Sequence, residues 1–172
     1  MATSASRGRR ARLRLRTIAR WLWYYESSPV YPDEMLLHSI PNNQQYFHEE
    51  MGEWALSPTA FKPHSKRDVD GMSFFREDFI SARTMAKRNR HPHGVRVARV
   101  KVLLIKDMAM DVQPDPRPEQ LPGHVVVPEL RFVAHLTPAE KQNAKKIQLR
   151  LARHAMGNGL YTPRGMSAPI GQ

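Results

Sequence analysis

Apolar and polar positions along this chain follow two rhythms, and each predicts its own kind of element. Alternation dominates VRVARVKVLLI (Val95–Ile105) and HVVVPELRF (His124–Phe132), which are joined by the proline-rich connector Asp111–Gly123. In the first, Ala98, Val100, Val102 and Leu104 share one face, and Val95, Val97, Arg99 and Lys101 the other. That pattern predicts a strand over Val95–Val102 with an apolar inner face. Glu34–Ile40, closed by Pro41, predicts a short buried strand, and Met72–Phe75 another, begun by the DVDG turn. Trp54–Phe61 reads as a strand that Pro58 confines to an edge or a bulge. Val125–Val127 and Leu130–Leu136 supply further strand material, broken at Pro128, while the polar run Asn42–Glu53 reads as a loop with a helical turn.

Helical spacing governs three other stretches. From Arg10 to Tyr25, Ala11, Leu15, Ile18, Leu22 and Tyr25 form one stripe, with Arg12, Arg16 and Arg20 off it. Arg76–Arg90 has helical composition and stops at His91-Pro92-His93-Gly94, since the residue before a proline is disfavoured in a helix. Pro138–Met156 is the best-signposted helix. Thr137 caps it, Pro138 suits the first position, Glu140 completes a capping box, and Gly157 and Gly159 end it. Its buried stripe is expected to be Ala144, Ile147, Leu151 and Ala155. Together these elements predict an α+β fold: a small, mostly antiparallel sheet packed by a C-terminal helix, over residues 26–156. A basic arm over 1–25, disordered and then helical, precedes it, and a flexible tail over 157–172 follows.

Charge changes the picture mainly at the arm. The chain of 172 residues carries a formal net charge of +11, yet seven arginines precede the first acid, Glu26, leaving 20 basic against 16 acidic residues elsewhere. Attraction to polyanions is therefore expected chiefly from the arm. The absence of cysteine excludes disulfides, thiol nucleophiles and cysteine-ligated metals. No apolar run reaches the roughly 18 residues of a membrane span. A cytoplasmic location is expected, with an organellar transit peptide left open by the Arg-rich, acid-free N-terminus.

Candidate chemistry is scattered. Asp68-x-Asp70-Gly71 opens like a calcium loop but puts Phe79 where the bidentate acid belongs, so it reads as a turn. His91 and His93 lie on a loop with no neighbouring acid and read as solvated, and neither a metal nor a cofactor is expected. The candidate catalytic set is His38, Ser57, Ser73, His124 and Glu129, with Thr59 as an alternative hydroxyl. His38 and His124 adjoin apolar strands, where a histidine can exchange protons if hydroxyls converge on it. The candidate nucleic-acid set is Arg9, Arg10, Arg12, Arg16 and Arg20 on the arm, with Lys62, Lys66, Arg67, Lys87, Arg88 and Arg90 in two clusters near aromatic residues. No nucleophile elbow, Walker loop, dinucleotide fingerprint or zinc-protease motif occurs.

The ordered segments AFKP (Ala60–Pro63), DGMSFFRE (Asp70–Glu77), VRVARV (Val95–Val100) and LPGHVVVPEL (Leu121–Leu130) resemble a family of small, functionally uncharacterised bacterial and phage-associated proteins, over roughly residues 34–136. That resemblance implies no activity. LHS (Leu37–Ser39), SPTAF (Ser57–Phe61) and PEL (Pro128–Leu130) are also similar in order to small ADP-ribosyltransferase-like domains, although Glu129 has no partner acid.

The leading expectation is a binding or interaction protein whose arm engages nucleic acid or another polyanion. The alternatives are a small enzyme or toxin-like module acting on a nucleotide or nicotinamide substrate, and a structural or immunity-type protein that meets a protein partner. The first predicts DNA or RNA affinity that falls steeply with salt and is mostly lost when residues 1–25 are deleted. Salt-insensitive binding, read by fluorescence anisotropy, would sink it.

Overall fold

A computed structural model describes residues 27–116 and 121–170. The expected arm helix and the five arm arginines lie outside these residues. In chain order the strands are β1 (Met35–Pro41), β2 (Phe47–Glu50), β3 (Glu53–Leu56), β4 (Met72–Arg76), β5 (Val95–Lys101), β6 (Gln113–Pro114) and β7 (His124–Val127). The helices are α1 (Ala82–Arg88), α2 (Val102–Asp107) and α3 (Pro138–Gly157). Five strands join in the order β5-β1-β4-β7-β6, with every pairing antiparallel, and β2 and β3 form a separate hairpin. This is an α+β fold built on a small antiparallel sheet and packed by the C-terminal helix. No described helix is long and apolar enough to cross a membrane.

Strand alternation gives the sheet two apolar faces. Leu36, Ile40, Phe74, Val100, Val125 and Val127 pack with Leu151 and Ala155 of α3 in the larger core. Leu37 and Val97 face the other way and are covered by Ala82 and Met85 of α1 together with Ile80. The capping box that opens α3 is present: the Glu140 N–H donates to the Thr137 hydroxyl, and the Glu140 carboxylate accepts from the Thr137 N–H at 2.7 Å. Of the expected stripe, Leu151 and Ala155 are buried, whereas Ala144 and Ile147 are only partly covered.

Three local expectations are corrected. Val102 leaves the strand and begins α2, whose first N–H groups donate to the carbonyls of Glu34 and Pro32. These tertiary acceptors satisfy orphan helix donors and override the strand propensity of VLLI. Residues 131–136 form no strand; after the 3-10 turn Pro128–Leu130, the Phe132 N–H donates to the Asp68 carbonyl at 2.7 Å. The polar run after Asn42 has its expected helical turn, the 3-10 turn Gln44–Tyr46, but then forms a hairpin and not a loop, turned by Met51 and Gly52, both at positive φ. Such a primed turn matches strand twist, which is why it closes a two-residue connection.

Two polar anchors fix β1 in place. At its start, Arg76 of β4 makes a two-pronged bond to Glu34, Nε to Oε2 at 2.7 Å and Nη2 to Oε1 at 2.9 Å. Its Nη1 donates to the Ser28 carbonyl and hydroxyl, both at 3.1 Å, and the guanidinium lies 4.9 Å from the Phe79 ring centroid. Just past the end of β1, the fully buried Asn42 accepts from Arg96 Nε at 3.2 Å and donates to the Ser167 carbonyl at 3.2 Å. The segment assigned to a tail returns to the body here, and also at Tyr161, which exchanges both backbone hydrogen bonds with Val97.

Replacing Arg76 with Met leaves Glu34 a buried carboxylate without its cation. The unfolding free energy in urea is expected to fall by about 3–5 kcal/mol. The same change at Arg99, whose pairing with Glu77 is more exposed, is expected to cost about 0–1 kcal/mol. Equal losses from the two variants would contradict this assignment.

Candidate functional site

The sheet opens between β1 and β4. These strands pair only through Leu36 with Arg76 and Leu37 with Phe75, while β1 stays paired with β5 along its whole length. Likewise β4 keeps its pairing with β7 from Met72 to Phe75. Past Leu37 the β1–β4 ladder stops, and a side chain replaces it: His38 Nδ1 meets the Ser73 carbonyl at 3.0 Å. A carbonyl can only accept, so the proton sits on Nδ1, and in the neutral ring the lone pair is on Nε2. The ring stacks on Phe61, 5.4 Å between centroids, and leans on Phe74 at 5.1 Å.

The divergence leaves a cleft of about 440 Å³. His38, Ser39 and Ser73 line it from the strands, Thr59 from the 3-10 helix Pro58–Phe61, and Lys62 and Arg67 from the loop that follows. Tyr46, Met72, Phe75 and Phe132 supply its apolar surface. The loop is shaped by Asp68, which is 8% exposed and whose carboxylate accepts from the His64 N–H at 2.6 Å. The Lys66 N–H donates to His64 Nδ1 at 3.1 Å, completing the turn. Gly71, just before β4, has a φ of +142°, and a Cβ there would stand 2.6 Å from the Val127 carbonyl oxygen. Only glycine lets the two backbones approach this closely.

The five candidate catalytic residues do not converge. His38 and Ser73 share the cleft, and Ser57 is one step removed. Its hydroxyl is 2.8 Å from that of Thr59, whose own hydroxyl donates to the Gln45 carbonyl. His124 is register partner to Phe75, so it points to the sheet face opposite His38. There it is 1% exposed, with Nδ1 2.7 Å from the Asp115 carbonyl. Glu129 accepts from the Asp111 N–H and borders a separate groove with Leu130, Leu136 and Ile147. Of the basic candidates, Lys62 and Arg67 line the cleft. Lys66 sits on the same turn outside the cleft's lining, Lys87 lines a second cavity, and Arg88 and Arg90 are exposed beyond it.

Tyr46 and Phe132 carry no functional signal in the sequence, and the only one at Asp68 is the calcium-like opening set aside above. Asp68 reads there as a turn residue and Phe132 as a strand residue. Only the fold brings them to His38. No protein-family model, curated protein or solved structure matches the chain, so neither resemblance attaches an activity to these side chains.

Burial holds the His38 pKa below the ordinary histidine value. The Ser73 carbonyl, the Asp68 charge and the Ala60 carbonyl pull it upward without prevailing, and Arg67 adds to the lowering. His154 is lowered too, by burial and then by Lys101 and Arg150, and its Nε2 accepts from the Lys101 N–H at 3.2 Å. On unfolding, both rings take up protons that the native state refuses. Their contribution to stability is complete above about pH 6.5 and is lost as the pH falls toward the lower native values. The urea midpoint is thus expected to drop between pH 7.5 and pH 5, and to drop less in a His38→Gln, His154→Gln double variant. An equal drop in both proteins would rule these two histidines out as the cause.

Proposed function

We propose that the chain binds a small phosphorylated ligand of the nucleotide class in the cleft between β1 and β4. The observation that carries this reading is the convergence of Lys62 and Arg67 on a concavity that also holds aromatic walls and several hydroxyls. Its volume lies within the roughly 300–1,000 Å³ of small-molecule sites. Two cations suit a phosphate or diphosphate, with the arginine able to bind it through two parallel hydrogen bonds. Asp68, an acid in the lining, already accepts from the His64 backbone, which lessens its opposition to an anion. The hydroxyls of Ser39, Thr59, Ser65 and Ser73 offer partners for a sugar, and Tyr46, Phe75 and Phe132 offer apolar surface for a base.

His38 adds a proton-linked element. A phosphate close to the ring favours its charged form, so binding draws in a proton that burial otherwise keeps out. Affinity therefore rises as the pH falls through the histidine range. The reading is one of binding and not of group transfer, because Glu129, the acid that the ADP-ribosyltransferase-like pattern requires, borders a different groove.

Isothermal titration of the full chain with ATP, NAD, ADP-ribose and adenosine tests the proposal. At least one phosphorylated ligand is expected to bind, with adenosine at least about tenfold weaker. A Lys62→Ala, Arg67→Ala variant is expected to lose about tenfold or more, since each charged hydrogen bond contributes roughly 1.5–3 kcal/mol. Equal binding of adenosine, no binding by any of the four, or unchanged affinity in the variant would each overturn it.

A further inference from the structure

On the flank of α1 away from the cleft lies a second cavity, of about 680 Å³. Arg83 and Lys87 line it from α1, and Arg164 faces them from the chain that returns after α3. No acidic residue lines it, and none of these three cations makes an ion pair among the described residues. The three arginines of the central sheet, by contrast, have side-chain partners: Arg76 bonds Glu34, Arg99 bonds Glu77 and Arg96 bonds Asn42. Arg83 and Lys87 are moreover four apart on one helix, an arrangement of like charges that costs roughly 0.2–0.5 kcal/mol in isolation. Three like charges turned into one concavity are unfavourable until an anion enters.

The walls are firmly built. Ser81 caps α1, its hydroxyl accepting from the Thr84 N–H at 3.2 Å. Tyr161, the aromatic residue of the lining, is held by its two backbone bonds to Val97, at 2.9 and 3.0 Å. Gly94, at a φ of +71°, turns the chain into β5 where a Cβ would meet the Met166 methyl at 2.8 Å. Arg88, the last residue of α1, and Arg90 just beyond it are both exposed and add further positive charge.

We infer that this cavity and its basic rim hold the phosphodiester backbone of a single-stranded nucleic acid, with Tyr161 offering a face for one base. Unpaired cations in a groove beside an aromatic ring are the combination that binds single strands without reading sequence. The inference is independent of the nucleotide reading of the cleft and assigns a polyanion site to the folded body itself, apart from any expected of the arm.

The test uses the full chain and a fluorescent oligothymidylate, with anisotropy followed over a range of salt. Arg83→Ala, Lys87→Ala, Arg164→Ala together are expected to weaken binding and to flatten the slope of log affinity against log salt by about 2, at roughly 0.7 per lost single-strand phosphate contact. A charge-matched control removes three exposed lysines elsewhere, Lys106→Ala, Lys141→Ala and Lys145→Ala, and is expected to leave the slope nearly unchanged. Thermal midpoints report that both proteins fold, and Arg164→Glu alone, outside any helix or strand, gives a second variant expected to weaken binding. An unchanged slope in the cavity variant, or an equal loss in the control, overturns the inference. So does displacement of the strand by inorganic pyrophosphate at matched phosphate concentration, which would make this a small-anion site.

Discussion

The architecture depends on how short the pairing between β1 and β4 is. Two residue pairs join these strands, and beside them sits the Arg76–Glu34 contact, the most heavily hydrogen-bonded ion pair described. The clamp holds the strands together at the closed end, so they can part at the other without the sheet dividing in two. A buried pair of this kind is weak evidence of net stabilisation but strongly resists losing one partner. Its role is positional. It fixes where the sheet stops being continuous, and the cleft follows from that point.

At the open end the broken ladder exposes backbone groups that the protein must satisfy by other means. His38 does so for Ser73, which makes one imidazole both a structural substitute for a strand bond and part of the cleft lining. Two roles for one ring explain why its proton affinity is set by competition between burial and the carbonyls around it. The helix α1 divides the functional surface in a comparable way. Met85 faces the cleft, while Arg83 and Lys87 face the second cavity, so seven residues serve two unlike walls.

Much of the fold was readable because its signals are local. The capping box at Thr137, the turn before Met72 and the alternation through Val100 each act within a few residues, and each element formed where its signal lay. Where the structure departs from the sequence reading, the reasons are physical. VLLI reads as strand by its propensity, and the carbonyls of Glu34 and Pro32 that make it a helix come from some seventy residues earlier. The hairpin around Met51 leaves little trace in the sequence, since methionine is an unusual residue for the left-handed half of a primed turn. The site was the least legible part. Its members come from separate elements, and whether a histidine on an apolar strand meets a serine or an empty face depends on register. His38 and His124 look alike in sequence and lie on opposite faces.

The buried Asn42 sets an order of events during synthesis. Its side-chain amide finds its carbonyl partner at Ser167, 125 residues later, so until that residue is made the donor must bond water and stay uncovered. Strand-to-strand contacts can form earlier, but this corner cannot close on a nascent chain that stops short of it. The segment around Ser167 therefore acts as a latch, and this corner is sealed only after every described strand and helix has been made.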